Sequence, residues 1–264
     1  MATFTIADDG IPGLTLALRL RLKGHAIALA QTPPVALNEC FTLPAPYRDL
    51  MLKSGGALED VAALLAAPPR EFLVDGRMLA LPHVGSQAHA IANTWDSAAG
   101  EQWASMNAVA ADIWSSLRIG AYTSRGSLPA FARAQLKDQR LRELLYQFVA
   151  GFGLDPDTVG DAAAVLPYLE QTFGRWTFAS GLDALEAELR RRCSALGVVA
   201  SDNDRSELHV DDFWADAFAA PARWWQRSSA ATAQTIELGL PWIGMAAEFT
   251  ADRIGRASAS NVSA

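Results

Sequence analysis

The chain has 264 residues, half of them hydrophobic, and a formal net charge of -7 at pH 7. A chain of this size can bury a substantial core, and its acidic charge offers no basic face to nucleic acid or to an anionic membrane surface. No apolar run approaches the roughly 20 residues of a membrane span, and no secretory signal is recognisable. We therefore expect a cytoplasmic protein without a membrane span.

The N-terminal part of the chain alternates between strand and helix patterns. Residues 3–7 predict a short strand, and residues 11–23 predict a helix with Leu14 and Leu18 on one apolar face. Residues 26–30 predict a second strand after Gly24, which ends the helix. Strand, helix and strand in this order belong to a βαβ unit and indicate an α/β fold.

The middle of the chain predicts a β-hairpin followed by a largely helical region. The hairpin spans residues 70–82, because Asp75 and Gly76 supply the positive φ angles of a tight turn between two apolar arms. Periodic apolar spacing predicts the other elements. In chain order they are helices at 47–53, 100–117, 137–150 and 157–165 (ahead of Pro167), a strand at 176–178, a helix at 182–196, a strand at 198–200, and helices at 207–219 and 240–255.

The turn between the first strand and the first helix is a damaged dinucleotide-binding motif. The GxGxxG pattern uses its glycines for the tight turn, for close approach to a pyrophosphate and for helix packing. Here Gly10 and Gly13 match the second and third glycines, whereas Asp8 replaces the first. The second strand should end in an acidic residue that binds ribose hydroxyls, and Gln31 stands there instead.

Asp8 and Asp9 place carboxylates where a phosphate would bind. An ionised carboxylate ~4 Å from a phosphate costs roughly 4 kcal/mol at an effective dielectric constant of about 20, which is about a thousandfold in affinity. Two interpretations remain open for this pair. One carboxylate caps the helix in place of a ligand, or one serves as a catalytic group.

Cysteines and histidines give weak signals. Cys40 and Cys193 are far apart and outside any CxxC pattern, so we expect buried free thiols. His209 with Asp211 and Asp212 could coordinate a metal or orient an imidazole, but a solvated helix start is the stronger interpretation. We therefore expect no metal site.

Aromatic residues are frequent, with eight tryptophans in the chain. Core packing explains any single one, and a cluster of them would also suit the wall of a cavity for a long apolar substrate. The aromatic residues concerned are Tyr168, Phe173, Trp176, Phe178, Trp224, Trp225 and Trp242.

Four segments carry a family resemblance. They are IPGLTLALRLRLKGHAIAL, TLPAPYRDLMLKSGGALEDV, LPYLEQTFGRWTFASGLDALEAEL and GLPWIGMAAEFTADRIGRA. In their order they resemble the FAD-dependent phytoene desaturase group, within the amine oxidase and protoporphyrinogen oxidase superfamily. The resemblance implies a remnant Rossmann-like flavin domain at residues 1–40 and 174–264. It also implies a mainly helical substrate-type domain at residues 41–173, with the hairpin at 70–82.

The chain departs from this family at the parts that hold the flavin. The family's Gly-Gly-Arg element is missing after the second strand, no β-meander is recognisable after residues 198–200, and residues 227–239 skip a long portion of the family's chain. The resemblance therefore implies a truncated, degenerate member. We expect that the FAD site is lost, that no cofactor is bound, and that Gly10, Gly13 and Gln31 are vestiges.

Loss of the flavin would remove hydride transfer and leave an apolar pocket. The leading hypothesis is a cofactor-independent cyclase or isomerase, including [4+2] cycloaddition, that acts on an apolar polyene or polyketide-like small molecule in specialised metabolism. Its candidate catalytic residues are Asp8, Asp9, Tyr168, Glu170, Trp176 and Trp242.

Two alternatives come from other functional classes. The first is a non-catalytic pseudoenzyme that carries an apolar metabolite, forms a homo-oligomer or pairs with another pathway enzyme. The second is an oxidoreductase that still binds FAD weakly.

Overall fold

The computed structural model describes residues 3–201, except residues 7, 32–36, 38, 61, 83 and 120, together with residues 239–260. In the last segment, the side chains at 241, 242, 249, 253 and 255–260 lie outside the description. The described residues form two compact units. Residues 3–65, 177–201 and 239–260 make up the first, and Ala66–Trp176 make up the second.

Helices and strands are numbered along the described chain. They are β1 Thr3–Ile6, α1 Ile11–Leu22, β2 Ala26–Ala30, β3 Phe41–Thr42, α2 Ala45–Lys53, β4 Leu64–Ala66, β5 Arg70–Val74, β6 Arg77–Leu81, α3 Gln87–Thr94, α4 Ser97–Leu117, α5 Leu128–Gln135, α6 Gln139–Ala150, α7 Val165–Phe173, β7 Arg175–Phe178, α8 Gly181–Ala195, β8 Val199–Ser201 and α9 Gly239–Ser260. The helix predicted at 207–219 lies outside the described residues.

The first unit contains a parallel sheet with the strand order β1-β2-β8. Thr3 pairs with Ala26 in one ladder, and Ala28 pairs with Val199 in the other. Helix α1 connects β1 to β2 and packs against α8 and α9. Contact with several elements explains why α1 is buried around most of its circumference. The predicted βαβ arrangement and the α/β class are confirmed.

Residues 41–65 lie in the first unit, although the sequence analysis assigned them to the helical domain. Two buried arginines account for this. Arg19 of α1 donates to the Asp49 carboxylate at 2.6 Å and to the Pro46 carbonyl at 2.9 Å. Arg192 of α8 donates to the Met51 carbonyl at 2.6 Å. These bonds hold α2 against the helices of the first unit.

The second unit begins with the antiparallel hairpin β5-β6. Asp75 and Gly76 form its two-residue turn with φ angles of 50° and 68°, as a tight hairpin turn requires. Phe72 and Leu79 pair across the ladder and are buried. The hairpin prediction, including its turn residues, is confirmed.

Helices α3 to α7 supply most of the core of the second unit. Trp103, Leu144 and Phe148 are fully buried in it. Helix α6 begins two residues later than predicted, because the Asp138 carboxylate caps it by accepting the Arg140 amide at 2.8 Å.

The prediction of an α-helix at residues 157–165 is wrong. The structure has a 3₁₀ helix at Asp161–Ala164 followed by α7 at Val165–Phe173. Pro167 does not end a helix here, because it occupies the first turn of α7, where no intrahelical donor is needed. The Asp161 carboxylate accepts from the Ser124 hydroxyl at 2.8 Å and from the Arg125 amide at 3.2 Å, so the start of the 3₁₀ helix is bonded to residues far from it in the sequence.

A small sheet with the order β3-β7-β4 completes the described architecture. The sequence predicted β7 and gave no indication of β3 or β4, which are two and three residues long. The described helices include none with both the length and the apolar character needed to cross a membrane.

Candidate functional site

The turn between β1 and α1 is closed by a side chain of the protein itself. The Asp8 carboxylate accepts the Gly10 amide at 2.8 Å through Oδ1 and the Gly13 amide at 2.9 Å through Oδ2. Gly13 makes this approach possible, because an added Cβ would lie 1.8 Å from the Asp8 carbonyl oxygen. The interpretation that a carboxylate caps the helix is confirmed for Asp8.

Few amide donors remain at the start of α1. A helix leaves its first amides without intrahelical partners, and these are the groups that bind phosphates. In the first turn of α1, Asp8 takes the amides of Gly10 and Gly13, and Pro12 has no amide hydrogen. Leu14 already donates to the Gly10 carbonyl within the helix. Ile11 therefore carries the one remaining donor of this turn among the described residues.

Asp9 lies beside a cation from α8. Arg190 donates to the Asp9 carbonyl at 2.8 Å, and its guanidinium lies 3.6 Å from the Asp9 carboxylate. The same arginine forms an ion pair with Glu186 one turn earlier in α8. No local pattern in the sequence connects Arg190 to this turn, because Asp9 lies 181 positions earlier in the chain.

An open cleft of about 180 Å³ lies in the first unit beside this turn. It is smaller than the roughly 300–1,000 Å³ of sites that enclose drug-sized ligands. Gln31, at the carboxyl end of β2, is exposed at the cleft. The lining residues are Asp9, Leu14, Leu29, Gln31, Arg190, Cys193, Ser194, Val198, Val199 and Ala200.

The cysteine that lines this cleft is not an activated nucleophile. Cys193 is buried, its thiol lies 3.5 Å from the Leu14 carbonyl, and burial raises the pKa of the thiol to about 12. The prediction of a buried free thiol is confirmed for Cys193. Cys40, which was also expected to be buried, is only half-buried.

Glu170 lies in the second unit within a buried ion pair. Its Oε2 accepts from Arg70 Nε at 2.7 Å, and the Arg70 guanidinium lies 4.4 Å from the centre of the Phe152 ring. A carboxylate held in this way fits a structural partner of the arginine. Arg70 could not be predicted as the partner of Glu170, because no local pattern joins residues that are 100 positions apart.

The other candidate residues lie on separate elements. The Trp176 indole donates to the Phe173 carbonyl at 2.6 Å, and Tyr168 is half-buried on α7. Both belong to the second unit, whereas Asp8 and Asp9 belong to the first. Trp242 lies in α9, and its side chain is outside the described residues. The catalytic roles of these residues stay predictions.

No group of three or more metal-ligating side chains occurs among the described residues. His209, Asp211 and Asp212 lie outside the described residues, so the metal hypothesis for them stays a prediction.

Comparison with known proteins shows that the fold of this chain is similar to folds already solved. No protein-family model and no curated protein matches the chain. The chain is similar to the solved structure of putrescine oxidase bound to putrescine, with 14% identity and a TM-score of 0.50 over 76% of this chain and 51% of that one. It also matches an oxidoreductase from Methanosarcina mazei, with 17% identity and a TM-score of 0.46 over 76% and 50% of the two chains.

The putrescine oxidase match shows that the chain shares the α/β fold of that protein, and at this identity it shows the fold alone. The chain spans about half the length of the structures that it matches.

Proposed function

We propose that the protein works without a tightly bound flavin, as a cofactor-independent cyclase or isomerase on an oxidoreductase-type scaffold. One observation carries the proposal: the Asp8 carboxylate accepts the amides of Gly10 and Gly13. A helix N-terminus binds a phosphate with such amides, and Pro12 removes another of them. We infer that this turn does not fit the pyrophosphate of a dinucleotide.

The expected effect on affinity follows from the geometry. A phosphate that shared the amides bound by Asp8, at 2.8 and 2.9 Å, would lie close to the carboxylate. At about 4 Å and an effective dielectric constant of about 20, the repulsion is roughly 4 kcal/mol. Binding would weaken about a thousandfold.

Ring closure and isomerisation need no redox partner. A pocket that restricts a flexible polyene can supply several kcal/mol of the barrier, and a positioned acid or hydrogen-bond donor can polarise a carbonyl or protonate an alkene. Asp9 and Tyr168 are half-buried and carry such groups. We assign a proton-transferring role to Asp9, which lines the cleft of the first unit, and the role of Tyr168 in the second unit is a separate proposal. An apolar polyene or polyketide-like molecule is the proposed substrate.

A variant at Asp8 tests the flavin part of the proposal. Asp8→Gly restores the first glycine of the motif and frees the two amides, so its affinity for FAD should exceed that of the wild type by at least tenfold in a flavin-fluorescence titration. The exposed Asp112 on α4 offers a matched control, since Asp112→Asn removes a similar charge elsewhere. Equal affinity of Asp8→Gly and the wild type would contradict the assigned role of Asp8.

The catalytic part is tested by mass spectrometry. The purified protein is incubated with polyene and polyketide intermediates in the absence of FAD, and the products are separated by chromatography. We expect a product of unchanged mass, with slower formation by Asp9→Asn and Tyr168→Phe and an unchanged rate for Asp112→Asn. A conversion that requires FAD, or no conversion of any intermediate, would contradict the proposal.

A weakly FAD-binding oxidoreductase is the second candidate. The cleft beside Gln31 favours it, because α/β folds bind ligands outside the carboxyl ends of parallel strands. Oxygen consumption that depends on added FAD would support this candidate against the first. A carrier role, or pairing with another pathway enzyme, also stays a proposal, and size-exclusion chromatography of the protein alone and with that enzyme tests it.

A further inference from the structure

Two buried amide side chains lie in the second unit on the adjoining helices α3 and α4. Gln87 is fully buried at the start of α3, and Asn107, at the middle of α4, is 3% exposed. Among the described residues, neither amide atom of Asn107 has a hydrogen-bond partner, and neither has Nε2 of Gln87. Native proteins pair almost all buried polar atoms, so three such atoms in one region require an explanation.

Trp103 fixes the orientation of the Gln87 amide. Its indole Nε1 donates to Oε1 of Gln87 at 3.1 Å. An indole nitrogen is only a donor, so the atom facing it is the amide oxygen, and Nε2 is the group left to donate elsewhere.

Asn107 belongs to the same region as Trp103. It follows Trp103 by one helical turn on α4, and helical side chains lean toward the N-terminus of their helix. The Asn107 amide therefore lies over the turn that carries Trp103, to which Gln87 is bonded. One turn earlier, Gly100 brings α3 and α4 into close contact, since an added Cβ there would lie 2.7 Å from the Ala88 carbonyl oxygen. The unpartnered amide atoms of Gln87 and Asn107 therefore lie next to a close contact between the two helices.

We propose that Asn107 and Gln87 together bind a hydroxyl oxygen inside the second unit. The two amide nitrogens donate to the lone pairs of the oxygen, and the hydroxyl hydrogen is donated to Oδ1 of Asn107. This arrangement satisfies all three buried atoms, because a hydroxyl offers two acceptor sites and one donor. The oxygen comes from a buried water, which commonly makes about three hydrogen bonds, or from the hydroxyl group of an otherwise apolar small molecule. This site lies in the second unit, so the proposal does not depend on whether the first unit binds FAD.

A double-mutant cycle tests whether the two amides bind the same guest, meaning the water or small molecule that supplies the hydroxyl oxygen. The variants are Asn107→Leu, Gln87→Met and their combination, and Met106→Leu on the same helix reports the effect of apolar repacking alone. Each single variant should lower Tm by about 2–8 °C. The double variant should lower Tm by clearly less than the sum, because one guest is lost only once. Gln87→Met removes the hydrogen bond from Trp103 whether or not Asn107 is also replaced, so this loss cancels in the cycle.

Two results of the cycle would overturn the proposal. If Asn107→Leu raises Tm, the amide is an unsatisfied group without a guest. If the two losses are additive, the amides do not share one.

A high-resolution crystal structure of the full chain identifies the guest. A single-atom density peak within hydrogen-bond distance of both amides would show water, whereas extended density would show a bound molecule, and native mass spectrometry of the purified protein would then give its mass. Either form of density supports the site. The absence of density near both amides would overturn it.

Discussion

The ion pair between Arg70 and Glu170 decides whether Glu170 serves the structure or the reaction. We consider three variants: Glu170→Gln, Arg70→Met and the double variant Arg70→Met/Glu170→Met. Glu170 is fully buried and Arg70 is 11% exposed, with a nitrogen to oxygen distance of 2.7 Å. Removing one charge of such a pair leaves the other buried without compensation, whereas removing both leaves an apolar site.

The magnitudes follow from this burial. Each single variant should lose about 3–5 kcal/mol of unfolding free energy. Arg70→Met should lie at the upper end, since it also removes the contact of Arg70 with Phe152, worth about 1 kcal/mol. The double variant should be more stable than either single variant, because methionine fills the site without a charge.

Urea denaturation followed by circular dichroism measures these changes, and the turnover assay is run at a temperature where every variant is folded. A structural role predicts that the double variant recovers activity together with stability. If Glu170→Gln unfolds at the wild-type urea concentration but loses activity, then Glu170 acts in the reaction and the structural assignment is refuted.

Three further predictions concern single residues of the first unit. Gly13→Ala should lose about 3 kcal/mol or more, because its Cβ would lie 1.8 Å from the Asp8 carbonyl oxygen, whereas Gly126→Ala, with no atom within 4 Å of the added Cβ, should change Tm little. The Cys193 thiol, with a pKa raised to about 12 by burial, should react with Ellman's reagent only after unfolding, and fast native labelling would contradict its burial. Hydrogen bonds from two arginines lower the pKa of Glu188 from 4.5 to about 2, so the stability it contributes is complete above about pH 4.5 and is lost as the pH falls toward 2. Glu188→Gln should therefore lose about 1–2 kcal/mol at pH 7 and little at pH 2 in urea titrations, and an equal loss at both pH values would contradict the assignment.

Local signals in the sequence were sufficient for part of the fold. The β1-α1-β2 order follows from apolar periodicity, and the hairpin follows from Asp75 and Gly76, which adopt the positive φ angles that the turn demands. The cap by Asp8 could be predicted for the same reason, since its partners Gly10 and Gly13 lie two and five residues away.

Features that depend on distant residues could not be predicted in this way. The 3₁₀ helix at Asp161–Ala164 begins at a carboxylate that accepts from Ser124, 37 positions earlier. Arg190 reaches Asp9 across 181 positions. The short strands β3 and β4 contain too few residues for a period to show.

The proposed loss of the flavin site is tested most directly by reconstitution of the wild-type protein. The purified chain is incubated with excess FAD and desalted, and its visible spectrum is recorded. Because Asp8 accepts the amides of Gly10 and Gly13, we expect a colourless protein without flavin absorbance near 450 nm. A yellow complex with one FAD per chain would contradict the account.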